Sequence, residues 1–416
     1  MTLKKNLSLY FIGKTTSELG SEIQTIAIPL FVLQLTGSGM AMGLIFFWGM
    51  IAGLGTLPFA SVISDRWNRK KAMAILDIVH GGLILIWAFL SLFNQLNMGY
   101  LLLITILRGV LSGFFQSSAN AFLLDIVDKE ALRSANSLSQ TFSAIARIAG
   151  PALGGILFGT VGITLIFFIN AFSFIISGIS EFFIDYHYEK RTDRLNLKKF
   201  FVEFGEGFSI VKNIKGLLPM FLFVAILNMI DTPIIPILVP YLGREVLGIN
   251  PTQIGLLTTV YTVGTMLSGI LIATLLKKVK SKKLVATGVI LAPGFQIILA
   301  FMIFPQVIAF FSSLIALYIL VLIIFFMMGT TDSMVNVPLL TSLQILIPPN
   351  ARARVMTIFG IMASLFVPFG GMIYGILLDK VSTHIILLVV SVATMIIGLV
   401  FLYFIPWKRI EKGESC

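Results

Sequence analysis

Twelve stretches of this chain, near 8–35, 41–64, 72–94, 99–124, 136–160, 162–185, 217–242, 252–276, 284–304, 311–340, 354–378 and 383–405, are apolar over most of their length. Each reaches about the twenty residues that an α-helix needs to cross the hydrocarbon core of a bilayer. No other feature restricts the fold as sharply. The chain has 416 residues, 57% hydrophobic and 12% charged, and a mean hydropathy of +0.99. A soluble globule of that composition would expose far too much apolar surface. The expected fold class is therefore an all-α membrane protein of twelve transmembrane helices, with the lipid bilayer as its constant partner.

The basic residues set the expected orientation. Of the 30 Lys and Arg, 25 lie at the termini and in alternate loops: Lys4 and Lys5; Arg66, Arg69, Lys70 and Lys71; Lys129 and Arg133; seven in 186–216; five in 277–283; Arg352 and Arg354; Lys408, Arg409 and Lys412. The opposite loops hold only Arg244 and Lys380. Since Lys and Arg are retained on the cytoplasmic side, both termini are expected in the cytoplasm of a multi-pass cell-membrane protein. The net charge of +11 then reflects this asymmetry and contact with anionic lipid, and nucleic-acid binding is not expected. The first span follows Lys4 and Lys5, lacks an A-x-A type cleavage site and carries acids along its length, so it is expected to stay as a helix rather than be removed as a signal. A lone Cys416 gives no internal disulfide, and its position at the last residue is not that of a prenylation box. His80, His187 and His384 are too scattered to suggest a metal set, and no cofactor is expected.

The chain also repeats itself. Shifted by 217 positions, 123–156 aligns without a gap on 340–373, so that Leu123 meets Leu340, Phe142 meets Phe359, Ala146 meets Ala363, Pro151 meets Pro368, Gly154 meets Gly371 and Ile156 meets Ile373. Ile28–Pro29 and Ile235–Pro236 open comparable apolar runs in spans 1 and 7. Two parallel six-helix, pseudo-symmetric halves account for this: residues 1–185, and residues 217–416. Between them, 186–216 is the one long polar connection. Its Leu197, Phe200, Phe201, Phe204, Phe208 and Val211 recur at helical spacing opposite Lys198, Lys199, Glu203 and Lys212, which predicts an amphipathic linker helix on the cytoplasmic membrane surface.

Ionisable residues inside the spans mark the candidate site. Lys14, Glu18 and Glu22 stand four apart on one face of span 1, with Ser21, Gln24 and Thr25 nearby; Arg108, Arg147, Asp231 and Asp332 lie deep in spans 4, 5, 7 and 10. An ionised group at the bilayer centre costs roughly 3 kcal/mol on insertion scales, so these groups are expected to face a hydrated interior or one another. A carboxylate alternately hydrated and occluded can take a proton on one side and release it on the other, which makes Glu22, Asp231, Glu18 and Asp332 the proton-coupling candidates. Arg108, Ser112, Gln116 and Asn120 recur every four residues along span 4 and, with Arg147, are candidates to line a substrate cavity. Pro151 removes the helical bond to the Arg147 carbonyl, and Gly150, Gly154, Gly155 and Gly159 allow a close helix approach.

The charge cluster "SDRWNRKK" between spans 2 and 3, set in a twelve-span chain with a central loop, resembles the major facilitator superfamily. Asp65, Arg66, Arg69 and Lys70 match its loop signature, with Asn68 and Ser61 where that signature ordinarily has glycine. "AGPALGG" (149–155) resembles the antiporter motif of the fifth helix, covering Gly150, Pro151, Gly154 and Gly155, and "RGVLSG" (108–113) resembles the fourth-helix arginine motif. "LTGSGMAMGL", "LLDIVDKEALRSANSL" and "EGFSIVKN" are similar to phrases of the macrolide-efflux and drug:proton antiporter branch. The resemblance implies that Asp65 and Arg66 form a gating latch against the eleventh helix of the other half, with Arg69 placed to pair with Asp125 at the foot of span 4.

ATP-driven transport is not expected, because "GKT" at 13–15 has Ser8 where a phosphate loop needs glycine. An enzyme is not expected either, since no metal-ligand cluster or nucleophile constellation is evident. The expectation is a secondary active transporter, acting as a monomer and without cofactor, that exports amphipathic drugs of macrolide or multidrug type by proton-coupled alternating access and so confers antibiotic resistance. The competing expectation is a transporter of the same fold for one specific lipid, peptide or metabolite, coupled to another ion.

Overall fold

The computed structural model describes residues 2–64, 67–127, 131–186, 197–214 and 216–412, and among them every regular element is helical. Among the described residues twelve helical segments are long and apolar enough to span a membrane. The chain divides into two compact units, Met1–Phe200 with Asn250–Gly255, and Phe201–Ile249 with Leu256–Cys416.

The first unit is built from α1 (Thr2–Thr36), α2 (Gly39–Ser64), α3 (Arg69–Leu92), α4 (Met98–Ile126), α5 (Leu132–Thr160) and α6 (Gly162–Phe182). α1 packs on α5 and α6, α2 on α4, and α3 on α4 and α6. Small residues set these contacts. Gly81 and Gly178 lie against the carbonyls of Ala171 and Ala74, so α3 and α6 touch backbone to backbone. Asn68 caps α3, its side chain accepting from the Lys71 N–H at 3.1 Å; with φ at −62° this turn does not require the glycine of the loop signature. Trp87, Ile84, Leu101 and Phe167 are fully buried.

The second unit contains the linker helix α7 (Leu197–Asn213, from residue 201 onward), then α8 (Leu217–Asp231), α9 (Leu238–Tyr241), α10 (Pro251–Thr274, from residue 256 onward), α11 (Ser281–Met302), α12 (Pro305–Phe310), α13 (Leu314–Leu346), α14 (Arg352–Leu365), α15 (Val367–Leu378), α16 (Thr383–Phe404) and α17 (Trp407–Lys412). The C-terminal part of the apolar face of α7 packs on protein. Val211 is buried in a cluster with Val355 and Ile358, Phe204 and Phe208 pack against that cluster, and Glu206 pairs with Arg354 at 2.8 Å.

The seventh span is not the single run its hydropathy predicts. α8 stops at Asp231, a 3-10 turn covers Thr232–Ile234, and after α9 a π-helical turn covers Leu242–Val246. Pro233, Pro236 and Pro240 carry no N–H, so the carbonyls of Met229, Thr232 and Pro236 lose their helical donors. Gly370 of α15 backs directly onto the freed Met229 carbonyl. The eleventh span is also interrupted, at Phe366 ahead of Pro368, whereas its aligned counterpart Pro151 is absorbed inside a continuous α5.

Candidate functional site

In the first unit the span-1 charges form a ladder with α5. Lys14 Nζ donates to Ser139 Oγ at 2.7 Å, Ser143 Oγ donates to Glu18 Oε2 at 2.8 Å, and Arg147 Nε lies 4.0 Å from Glu22 Oε1. Both helices supply every fourth residue, so the rungs keep one register along a shared face. Gly150 fixes the spacing at the last rung, because a methyl group there would run into the Glu22 side chain and backbone; Gly154 does the same against Ile23. Gly155 lies against the Pro251 carbonyl, and Pro151 presents its own carbonyl to Gly255, both within this unit. The Arg147 side chain is 65% exposed in the middle of a membrane span, which an acyl-chain surface would not tolerate.

Arg108 turns toward the interior of the same unit. Its guanidinium sits over the Trp87 ring at 5.1 Å and donates to Gln24 Oε1 at 3.0 Å. Its carbonyl lies 3.1 Å from His80 Nε2, so that nitrogen carries the proton and donates. Ser112 Oγ is 3.4 Å from the same nitrogen, and Gln116 is exposed. Asn120 is helical, and its side chain lies outside the described residues.

Asp65 and Arg66 also lie outside the described residues. At the start of α3, Arg69 Nη1 donates to both oxygens of Asp125, at 2.8 and 2.7 Å, and the Tyr186 hydroxyl donates to Asp125 Oδ2 at 2.8 Å.

In the second unit Asp231 and Asp332 stand within each other's electrostatic reach. Asp231 terminates α8 at the proline break, and Gln296 Nε2 of α11 lies 3.4 Å from its Oδ1. Gln296 accepts in turn from Ser391 of α16 at 3.2 Å. Asp332 accepts from Asn336, one turn on, at 2.9 Å. Tyr261 faces both acids and Tyr374 faces Asp231; the Tyr374 hydroxyl is buried without a hydrogen-bond partner. Among the described residues no basic side chain pairs with either acid. The arrangement gives two half-buried carboxyls, side-chain amides and a phenol with a spare donor, which is suited to holding a proton or a cationic or hydroxyl-bearing ligand.

Gln296, Tyr261, Tyr374 and His80 were not foreseen as site residues, nor were the buried acids Asp77 and Glu181. Their one signal in the sequence is a polar group recurring within an apolar span, and for Asp77 and His80 a spacing of three that puts both on one face of α3.

Residues 4–415 match the family described as transmembrane secretion effector. Macrolide efflux protein A of Streptococcus pyogenes is 23% identical over 380 residues, 89% of each chain. The multidrug efflux pump Tap of Mycolicibacterium fortuitum is 22% identical over 428 residues, covering 100% of this chain and 99% of Tap. Among solved structures, the nucleoside transporter NupG superposes with a TM-score of 0.73 at 13% identity, over 97% of this chain and 99% of that one, which identifies the fold.

Proposed function

Because the chain belongs to the transmembrane secretion effector family of the major facilitator superfamily, we propose that this transporter exports amphipathic drugs, macrolides among them, in exchange for protons. The observation that carries the reading is the Asp231–Asp332 pair: two acids within membrane spans, in each other's field and without a basic partner among the described residues. Two such carboxyls repel when both are ionised, so the site favours a proton or a cationic substrate, and binding one disfavours the other. That exclusion is what an antiporter needs.

Glu18 and Glu22 play a different part. Ser143 and Arg147 contact them, so they organise the α1–α5 wall, while Ser112 and Gln116 supply polar surface along α4 and Arg108 is held against Trp87 and Gln24. Asp65, Arg66, Arg69 and Asp125 serve as the gating latch. Both termini are cytoplasmic, and the chain works as a monomer. The similarity to macrolide and multidrug efflux proteins supports the substrate class. The amide and hydroxyl set of Gln296, Ser391 and Asn336 favours, as the second reading, one specific polar metabolite carried by the same fold.

The test is drug challenge of efflux-deficient cells expressing the chain, with and without an uncoupler, together with drug-evoked alkalinisation of acid-loaded inverted vesicles. Protection against macrolides that the uncoupler removes, and alkalinisation that Asp231→Asn abolishes, are expected. Unchanged drug susceptibility, or alkalinisation retained by both Asp231→Asn and Asp332→Asn, overturns the reading.

A further inference from the structure

The transport reading leaves two acids of the first unit unused. Asp77 of α3 is fully buried and Glu181 of α6 is 1% exposed. Both Asp77 oxygens and Glu181 Oε2 lack hydrogen-bond partners, and so does the hydroxyl of Ser177, fully buried one turn before Glu181. The Ser177 hydroxyl faces Asp77, and the two carboxyls lie in each other's field. Gly178 holds the helices together at this level, against the Ala74 carbonyl and Ile78, and these α3 residues flank Asp77 in sequence.

Among the described residues no surrounding element supplies a neutralising charge. From α1, Tyr10 faces Glu181, while Lys14 is bonded to Ser139 and Glu18 to Ser143. On α3, His80 is turned to the Arg108 carbonyl, and Lys70 donates to the carbonyls of Phe182 and Ile184. On α4, Arg108 is bonded to Gln24, and on α5, Arg147 faces Glu22. A carboxylate buried without counter-charge, with no more than a serine hydroxyl facing it, is strongly disfavoured and is neutralised by a proton. A metal ion is a poor alternative: hard cations take about six or more oxygen ligands, and among the described residues no group of three or more acidic, His or Cys side chains is placed to hold one.

We propose that Asp77, Glu181 and Ser177 form a proton-binding site between α3 and α6, separate from the Asp231–Asp332 pair and occupied in the conformation described. A protonated carboxyl carries no charge to be solvated and has an O–H to donate, and the Ser177 oxygen beside Asp77 can accept it. Losing the proton leaves a charge that only entering water or a displaced Lys70 could meet, so emptying the site requires the α3–α6 contact to loosen at the Lys70 end.

Infrared difference spectra of the full chain in lipid at neutral pH, wild type against Asp77→Asn and against Glu181→Gln, test this directly. Loss of a deuterium-sensitive protonated-carboxyl band in at least one variant is expected; loss of only ionised-carboxylate bands in both overturns the site. A second measurement needs no variant. Dicyclohexylcarbodiimide modifies protonated carboxyls in apolar surroundings, and peptide mapping should find its adduct on Asp77 or Glu181, decreasing as pH rises. An adduct on either acid whose yield does not fall as pH rises overturns the proposal. Neither readout involves drug export, so its failure is distinguishable from failure of the export reading.

Discussion

The Ser143 hydroxyl donates to Glu18 Oε2 at 2.8 Å, and so fixes the middle rung between α1 and α5. A hydrogen bond to a carboxylate contributes about 1.5–3 kcal/mol where water is scarce, and the rung is half-buried. Ser143→Ala should lower the thermal midpoint in detergent. A double-mutant cycle with Glu18→Gln should show a coupling of about 1 kcal/mol; additive single effects would show that the two side chains do not act together.

Gly150 makes a sharper demand, because a methyl group there meets Glu22 at both side chain and backbone, whereas one at Gly159 meets Pro251 at an ordinary 3.7 Å. Gly150→Ala should therefore push α1 from α5, cost about 1–3 kcal/mol through overpacking and disrupt the Arg147–Glu22 pair. Gly159→Ala should be neutral or slightly stabilising, since alanine is the better helix former. Thermal denaturation of the two variants side by side checks the contrast, and equal effects would refute it.

Hydropathy and charge made the twelve spans legible, and the four-residue spacing of Lys14, Glu18 and Glu22 made a functional face legible. Neither revealed that Ser139, Ser143 and Arg147 meet that face, because a matching period on another helix says nothing of which helix it joins. The break after Asp231 was written in Pro233, Pro236 and Pro240, yet Pro151 sits in a comparable apolar run and leaves α5 intact. Three closely spaced prolines stand in the broken run and one in the intact run, and the approach of Gly370 to the Met229 carbonyl is a tertiary contact that neither pattern announces. Asp77 and Glu181 escaped notice because each lies near the end of its expected span, where a lone acid looks interfacial. Only packing shows them to be sealed.

Arg108 offers a test of shape against charge. Its planar guanidinium covers the Trp87 ring while donating to Gln24, and a lysine ammonium cannot do both from one position. Arg108→Lys should cost about 1–2 kcal/mol despite keeping the charge, with Trp87→Leu removing most of the difference between arginine and lysine. Thermal midpoints of the four combinations measure it, and an Arg108→Lys variant as stable as the wild type would show that charge alone suffices.

The Arg69–Asp125 pair should rank its own substitutions. The Arg69 side chain is 10% exposed and Asp125 26%, so this is a partly buried pair. Asp125→Asn removes the negative charge that the Arg69 guanidinium holds by both oxygens and should cost most; about 3–5 kcal/mol is typical when one partner of a buried pair is removed, and solvent at Asp125 places this one toward the lower end. Arg69→Lys keeps a charge but loses the guanidinium that reaches both carboxylate oxygens, and should cost less. Tyr186→Phe deletes one hydrogen bond to a carboxylate that keeps its arginine, and should cost about 1 kcal/mol. Chemical denaturation of the purified variants should give that order. If Tyr186→Phe proved as damaging as Asp125→Asn, the tyrosine after α6 and not the charge pair with α3 would be what anchors the foot of α4.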